Sequence, residues 1–328
     1  MIIDIHTRIW ESTRPLGLAA EVLRRRCPDP WARLDASRTA HAAAMGPVQY
    51  AIIHGFESRL LGAHITAEQV ATWIGEDRSR LLGFAGIDPL VSRSVHRMEE
   101  AISCGLVGLT ISPSAAGFHP AHTRAMDLYE ACADRQIPIL VEYHPWLVPA
   151  AKMEFAQPYL WDEVVRTFPE LKLVISSLGH PWMEQTFSLM AKHRCVYADV
   201  SEMSQFPMQL YQALLSALHQ GVLDQILFGS GFPVGDPESA ILNLYSMNNL
   251  NQGTPLPTVG RHHLRSIVER DALSCLGLAR PSNSSREKAI GQGESPGSSW
   301  HRIAGDESDT RVVETEESYI REPPVDRD

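Results

Sequence analysis

Residues 226–233 read ILFGSGFP, and the reading of this stretch decides the architecture. The apolar run Ile226-Leu227-Phe228 breaks into small residues and a proline, as a buried parallel strand does where it opens into a loop. Val234, Gly235 and Asp236 then lead toward a helix. A strand of this kind presents its last side chains beyond the sheet, where a carboxylate could hold a metal or take a proton. The residue between Ser230 and Phe232 is instead Gly231, which has no side chain to present.

The same pattern recurs upstream. Strands are expected at 2–6, 50–55, 81–88, 106–112, 139–144, 172–179 and 196–201, and 226–233 completes a set of eight. Between them, windows such as HTRAMDLYEACADRQ and PWMEQTFSLMAKH space apolar residues by three and four, the signature of helices with one buried face. Eight β units alternating with helices favour an α/β fold closed as a (β/α)8 TIM barrel. An open doubly wound sheet is the alternative, although no G-x-G-x-x-G follows the first strand and a dinucleotide role has no support.

Composition sets further bounds. Of 328 residues, 44% are hydrophobic and 21% charged, with 29 basic against 39 acidic side chains and a net charge of −10. Nucleic acid and anionic membrane both need a basic face, so neither is expected as a partner. Five scattered cysteines without a C-x-x-C pair fit reduced, buried thiols in a cytoplasmic protein better than a disulfide framework or zinc finger. No signal peptide or membrane span is expected. From Pro281 the chain turns to Ser, Gly, Pro and Glu, and residues 281–328 hold eleven acidic and six basic groups. Such a segment has little apolar surface to bury, so the barrel is assigned to 1–280 and 281–328 to a disordered acidic tail.

Active sites of parallel barrels are built at the C-terminal ends of the strands. Those ends carry Asp4, His6 and Arg8 at alternate positions of strand one, then His54, Thr110 and Ser112. Glu142 and His144 end strand five, and Ser176, Ser177 and His180 end strand six. Asp199 and Ser201 end strand seven, and Ser230 and Gly231 end strand eight. His6, His144 and His180 at three such ends form a coherent set, because three protein ligands plus water make a catalytic zinc site. The plain readings stand beside this one. Most of the 14 histidines are surface or capping residues, His54 suits a structural role, Asp199 could hold backbone amides, and His180-Pro181 suits a strand-to-helix turn with proline at the first helical position.

Together these stretches resemble the amidohydrolase-related branch of the amidohydrolase superfamily. The likeness is carried by Asp4-x-His6, GFAGIDP at 83–89, GLVGLTISPSAAGFHP at 105–120, LYEACADRQIPILVEYHPW at 128–146, LKLVISSLGHPW at 171–182, VYADVS at 196–201 and ILFGSGFP. It implies a distorted (β/α)8 barrel acting as a zinc-dependent hydrolase or decarboxylase, such as those for aminocarboxymuconate semialdehyde, or as a metal-independent lactonase. It also makes a homodimer plausible. Residue by residue, the strand-one His-x-His of the family reads His6-Thr7-Arg8, and the strand-eight acid reads Gly231. The strand-six histidine falls at Ser177, and the strand-five ligand at Glu142 or His144.

The resemblance leaves two forms of site open. In one, a divalent metal, zinc by preference, sits on His6, His144 and His180. In the other the site is metal-free, because Arg8 and Gly231 stand where ligands belong and a fixed cation repels a metal. In either form Glu142 and His180 are the candidate catalytic groups, and Arg8, His54 and Trp146 are expected to bind a small, anionic substrate. The alternative is a barrel that has lost its chemistry and serves as a binding or scaffold protein.

Overall fold

The computed structural model describes residues 1–26, 35–142 and 148–281, with side chains 23–26 left aside. The expected tail therefore lies outside the described residues except for Pro281. Eight strands form one parallel sheet in chain order: β1 (Ile3–Thr7), β2 (Tyr50–His54), β5 (Leu81–Gly86), β6 (Gly108–Ile111), β7 (Ile139–Val141), β8 (Leu173–Ile175), β9 (Val196–Asp199) and β10 (Ile226–Leu227). Each coincides with an expected strand, mostly trimmed at the C-terminal end, where the chain leaves the ladder to form the site. Helices such as Ala67–Glu76, Thr123–Asp134 and Pro207–His219 alternate with the strands.

The opening stretch turns out to be the seam of the barrel. Only Ile226 and Leu227 pair with β9, and the residues after them close the sheet against β1. Ile5 N–H donates to the Phe228 carbonyl at 3.1 Å, Gly231 N–H to the His6 carbonyl at 2.9 Å, and Arg8 N–H to the Phe232 carbonyl at 3.0 Å. Thr7 and Phe232 form an isolated parallel bridge. The pairing of β1 with β2 shifts register between Asp4 and Thr7, so the strand kinks at His6.

Two apolar clusters hold this frame. The larger lies between sheet and helices, with Trp161, Tyr129, Phe118 and Phe187 fully buried. The smaller draws Ile3, Ile5, Ile52, Leu82, Phe84, Leu140, Val174 and Leu227 from strands around the barrel and so fills its interior. Leu273 and Leu276 of the helix Ala272–Leu276 belong to the same cluster. At about 25 cal/mol per Å² of apolar area, each such side chain contributes roughly 1.5–3 kcal/mol on burial.

The connection after β2 is partly a hairpin, with β3 (Phe56–Ser58) antiparallel to β4 (Ala63–Ile65). Two local expectations are corrected. Pro181 is not the first residue of a helix, since that helix begins at Met183. The described cysteines are free as expected, but Cys104 is exposed rather than buried. Among the described residues no helix is long and apolar enough to cross a membrane.

Candidate active site

The site is assembled around His6, which is fully buried at the kink of β1. Its Nδ1 lies 3.0 Å from Asp199 Oδ2 and its Nε2 lies 3.2 Å from Glu142 Oε2 and 2.9 Å from an Arg8 guanidinium nitrogen. Because a guanidinium can only donate, the network assigns the proton to Nδ1, donating to Asp199, while Nε2 accepts from Arg8. Arg8 also donates to Glu142 Oε2 in an ion pair, and its other terminal nitrogen is 3.7 Å from Glu202 Oε1. Side-chain exposure is 0% for His6 and Asp199, 1% for Glu142, 4% for Glu202 and 13% for Arg8, so the guanidinium is the most accessible of the five.

Local structure explains how these groups meet. Asp199 Oδ1 accepts from Ser177 N–H and Ser201 N–H, each at 2.9 Å, and from the Ser201 hydroxyl, while Oδ2 takes the His6 ring. Burial works to raise the Asp199 pKa, but His6, Ser201 and Ser177 outweigh it and hold the carboxyl below its usual range. Ser177 and Leu178 both adopt positive φ, 52° and 54°, which turns the chain sharply after β8 and aims the Ser177 amide at Asp199. Gly229 leaves room for these groups: a Cβ there would stand 3.0 Å from His6 Cβ, a tight contact, and 3.5 Å from Asp199 Cβ, an ordinary one.

Gly231 has a different reason. Its φ is +74°, and a Cβ would lie 2.4 Å from Glu202 Cγ and 2.9 Å from Glu202 N. Glu202 therefore fills the space that a side chain at 231 would occupy. It sits in the turn after β9 at φ 58°, a left-handed conformation uncommon for a non-glycine residue, and its N–H donates to the Ser230 carbonyl at 3.1 Å. Sequence reasoning missed Glu202 because the survey of strand ends stopped one residue short, at Ser201.

Asp4 and His54 support the site rather than line it. Asp4 Oδ1 accepts from His6 N–H at 3.1 Å and Ser230 N–H at 2.9 Å, tying β1 to the seam. Its Oδ2 is buried without a partner among the described residues, and burial lifts the carboxyl to about 6 against the pull of Ser230 and His6. The expectation that His54 binds substrate is corrected: it is 0% exposed with both ring nitrogens engaged. Nε2 donates to the Ile5 carbonyl at 2.7 Å, so Nδ1 accepts from the Thr110 hydroxyl at 2.6 Å. Burial, reinforced by His6 and Arg8, keeps this ring well below the usual histidine pKa and so neutral. His180 is partly exposed and stacks on Phe206, ring centroids 5.4 Å apart and 9° from parallel. His144 and Trp146 lie outside the described residues.

The family model described as Amidohydrolase matches residues 3–250. The chain belongs to the amidohydrolase family. Curated proteins give no match. Among solved structures, an uncharacterised TIM-barrel protein of Bordetella bronchiseptica has a TM-score of 0.65 at 19% identity, over 84% of this chain and 99% of the other. A probable 2-pyrone-4,6-dicarboxylic acid hydrolase of Acinetobacter baumannii, with citric acid bound, has a TM-score of 0.60 at 13% identity, over 84% and 99%. A dihydroxybenzoic acid decarboxylase of Polaromonas sp. JS666, with manganese and 2-nitroresorcinol bound, has a TM-score of 0.58 at 15% identity, over 84% and 96%. At these identities the likeness is one of fold, the (β/α)8 barrel.

Whether a divalent metal fits is a question about the donors present. A metal at His6 would need Nε2 and Glu142, and the Arg8 guanidinium already lies on both. A divalent ion about 4 Å from that fixed cation is repelled by about 8 kcal/mol at an effective dielectric of about 20. Asp199 has its lone pairs taken by four donors, and Gly231 has none to give. Among the described residues no group of three His, Cys, Asp or Glu side chains is arranged to hold a metal. The expected ligand set of His6, His144 and His180 is thus not met at His6, for the physical reason that Arg8 is there.

Proposed function

We propose that this amidohydrolase-family barrel is an enzyme acting on a small carboxylate-bearing substrate, an aromatic acid or a lactone related to one, at the C-terminal face of the barrel. One observation carries the reading. His6, Glu142 and Asp199, brought together from three strand ends, are buried and linked through the His6 ring, and His6 and Glu142 both meet a single, more accessible guanidinium. Burying ionisable groups is costly, and a barrel needing only stability would fill these positions with apolar side chains. Two of the similar structures carry names that specify carboxylic acids, which supports the choice of substrate class.

In this reading Arg8 receives the substrate carboxylate. Its outer nitrogen is paired with Glu202 at 3.7 Å, so an incoming carboxylate competes for that edge and can be held in the planar, two-pronged fashion a guanidinium favours. Glu142 and His180 are the groups assigned to proton transfer, Glu142 from inside the cluster and His180 from its position after β8. Trp146 is assigned to the substrate's ring. Decarboxylation breaks the ring–carboxylate bond, releases CO2 and puts a proton on the ring carbon, whereas lactone opening adds water at the acyl carbon and passes its proton to the leaving ring oxygen. A carboxylate and an imidazole are the kinds of group that move such protons.

The second reading, a barrel that binds without turning anything over, is favoured by Gly231 and by the two acids already set against Arg8. Turnover separates the two. Dihydroxybenzoates and pyrone dicarboxylates, assayed for loss of carboxylate or ring opening with thermal stabilisation read in parallel, should give both signals in the wild type and neither in Arg8→Gln. Stabilisation without turnover would establish the binding protein, and no stabilisation by any carboxylate would remove the proposed substrate class.

A further inference from the structure

We propose that Arg8 and Glu202 together replace a metal and its acid: the guanidinium is the permanent cation of the site, and Glu202 brings beside it the carboxylate that residue 231 cannot carry. The inference rests on the reading that these strand ends form an active site, and deepens it.

Position comes first. The inner Arg8 nitrogen bonds to Glu142 and is 2.9 Å from His6 Nε2, while those two acceptors stand 3.2 Å apart. An ion bridging His6 to Glu142 would have to displace it. The guanidinium stays charged although burial lowers its pKa, with Glu202 and Asp199 opposing that fall.

The second observation is the exchange of volume between 202 and 231. The Glu202 side chain occupies the Cβ direction of Gly231, and its backbone takes up a left-handed conformation to do so. Glu202 N–H donates to the carbonyl of Ser230, the residue before Gly231, at 3.1 Å. An acid at 231 and the present Glu202 exclude one another sterically. The carboxylate at this point is supplied from the turn after β9.

Asp199 does not serve the same purpose, because its oxygens are held by Ser177, Ser201 and His6. Glu202 is the remaining described acid that faces the outer edge of Arg8. Glu202 Oε1 stands 3.7 Å from that edge, so a substrate carboxylate held by Arg8 would lie next to it.

The test is metal content of the full-length protein, by elemental mass spectrometry after incubation with excess Zn²⁺ or Mn²⁺ and desalting, with folding checked by circular dichroism. Wild type is expected to retain only traces of metal, unchanged in His6→Ala. Retention of about one ion per chain in wild type, lost in His6→Ala, overturns the proposal. Arg8→His removes the cation and adds a ligand beside His6, Glu142 and Glu202, and is expected to retain about one ion per chain. A folded Arg8→His that stays metal-free overturns the claim that Arg8 occupies the metal's place. Adding Glu202→Gln to Arg8→His is expected to weaken metal affinity by about tenfold or more. An unchanged affinity overturns the role of Glu202. None of these readings depends on finding a substrate, so failure of the carboxylate screen and failure of this proposal are separate results.

Discussion

Replacing Arg8 with methionine removes the charge and keeps most of the stem, and the expected cost follows from the geometry. Glu142, with a side chain 1% exposed, loses the guanidinium that bonds to it directly, while Glu202 loses a pairing at 3.7 Å. Removing one partner of a buried ion pair costs about 3–5 kcal/mol, because the other charge is left in a poorly solvated place. Arg8 is 13% exposed, so water already screens the pair slightly and the low end, about 3 kcal/mol at neutral pH, is expected. The assay is denaturant unfolding of wild type, Arg8→Met, Glu142→Gln and the double variant. Because the buried acid is what makes Arg8→Met costly, the double variant should recover most of the loss, giving a coupling of about 2–3 kcal/mol.

Losses that simply add in the double variant would refute the reasoning.

Two other predictions concern the frame. His41 donates from Nε2 to the Thr7 hydroxyl at 3.0 Å, and burial, with Arg80 nearby, pushes its pKa down from 6.5 to about 4. The stability it protects is present above pH 6.5 and lost as pH falls toward about 4, roughly 3 kcal/mol in all, so His41→Gln should flatten the acid limb of stability against pH by that amount. An unchanged limb would assign the acid sensitivity elsewhere. The Tyr129 hydroxyl is buried with no hydrogen-bond partner among the described residues, so Tyr129→Phe should gain about 1 kcal/mol in thermal or denaturant unfolding. A clear loss would show that the hydroxyl has a partner.

How far the sequence reached is visible in particular residues. All eight barrel strands were legible, because buried parallel strands are nearly continuous apolar runs that end in Gly, Ser or Pro. The hairpin of β3 and β4 was not, since three-residue strands are too short to show an alternating pattern. His6, Arg8, Glu142 and Asp199 were all on the list of strand ends, and the structure brings them together. Which of them would pair was not legible, because the contacts join strands far apart in the chain. His54 was assigned to substrate because burial cannot be read from a strand end. Glu202 went unseen because its place depends on a left-handed turn and on the emptiness of Gly231, neither of which has a periodic signature.

The central claim is that the cation of this site belongs to the protein and receives a carboxylate. Calorimetric titration of 2,6-dihydroxybenzoate into chelator-treated wild type and Arg8→Gln tests it most directly. The account predicts binding to the chelated wild type, unchanged by added Zn²⁺ or Mn²⁺ and abolished in Arg8→Gln. Binding that appears only when metal is restored, and survives in Arg8→Gln, would contradict it.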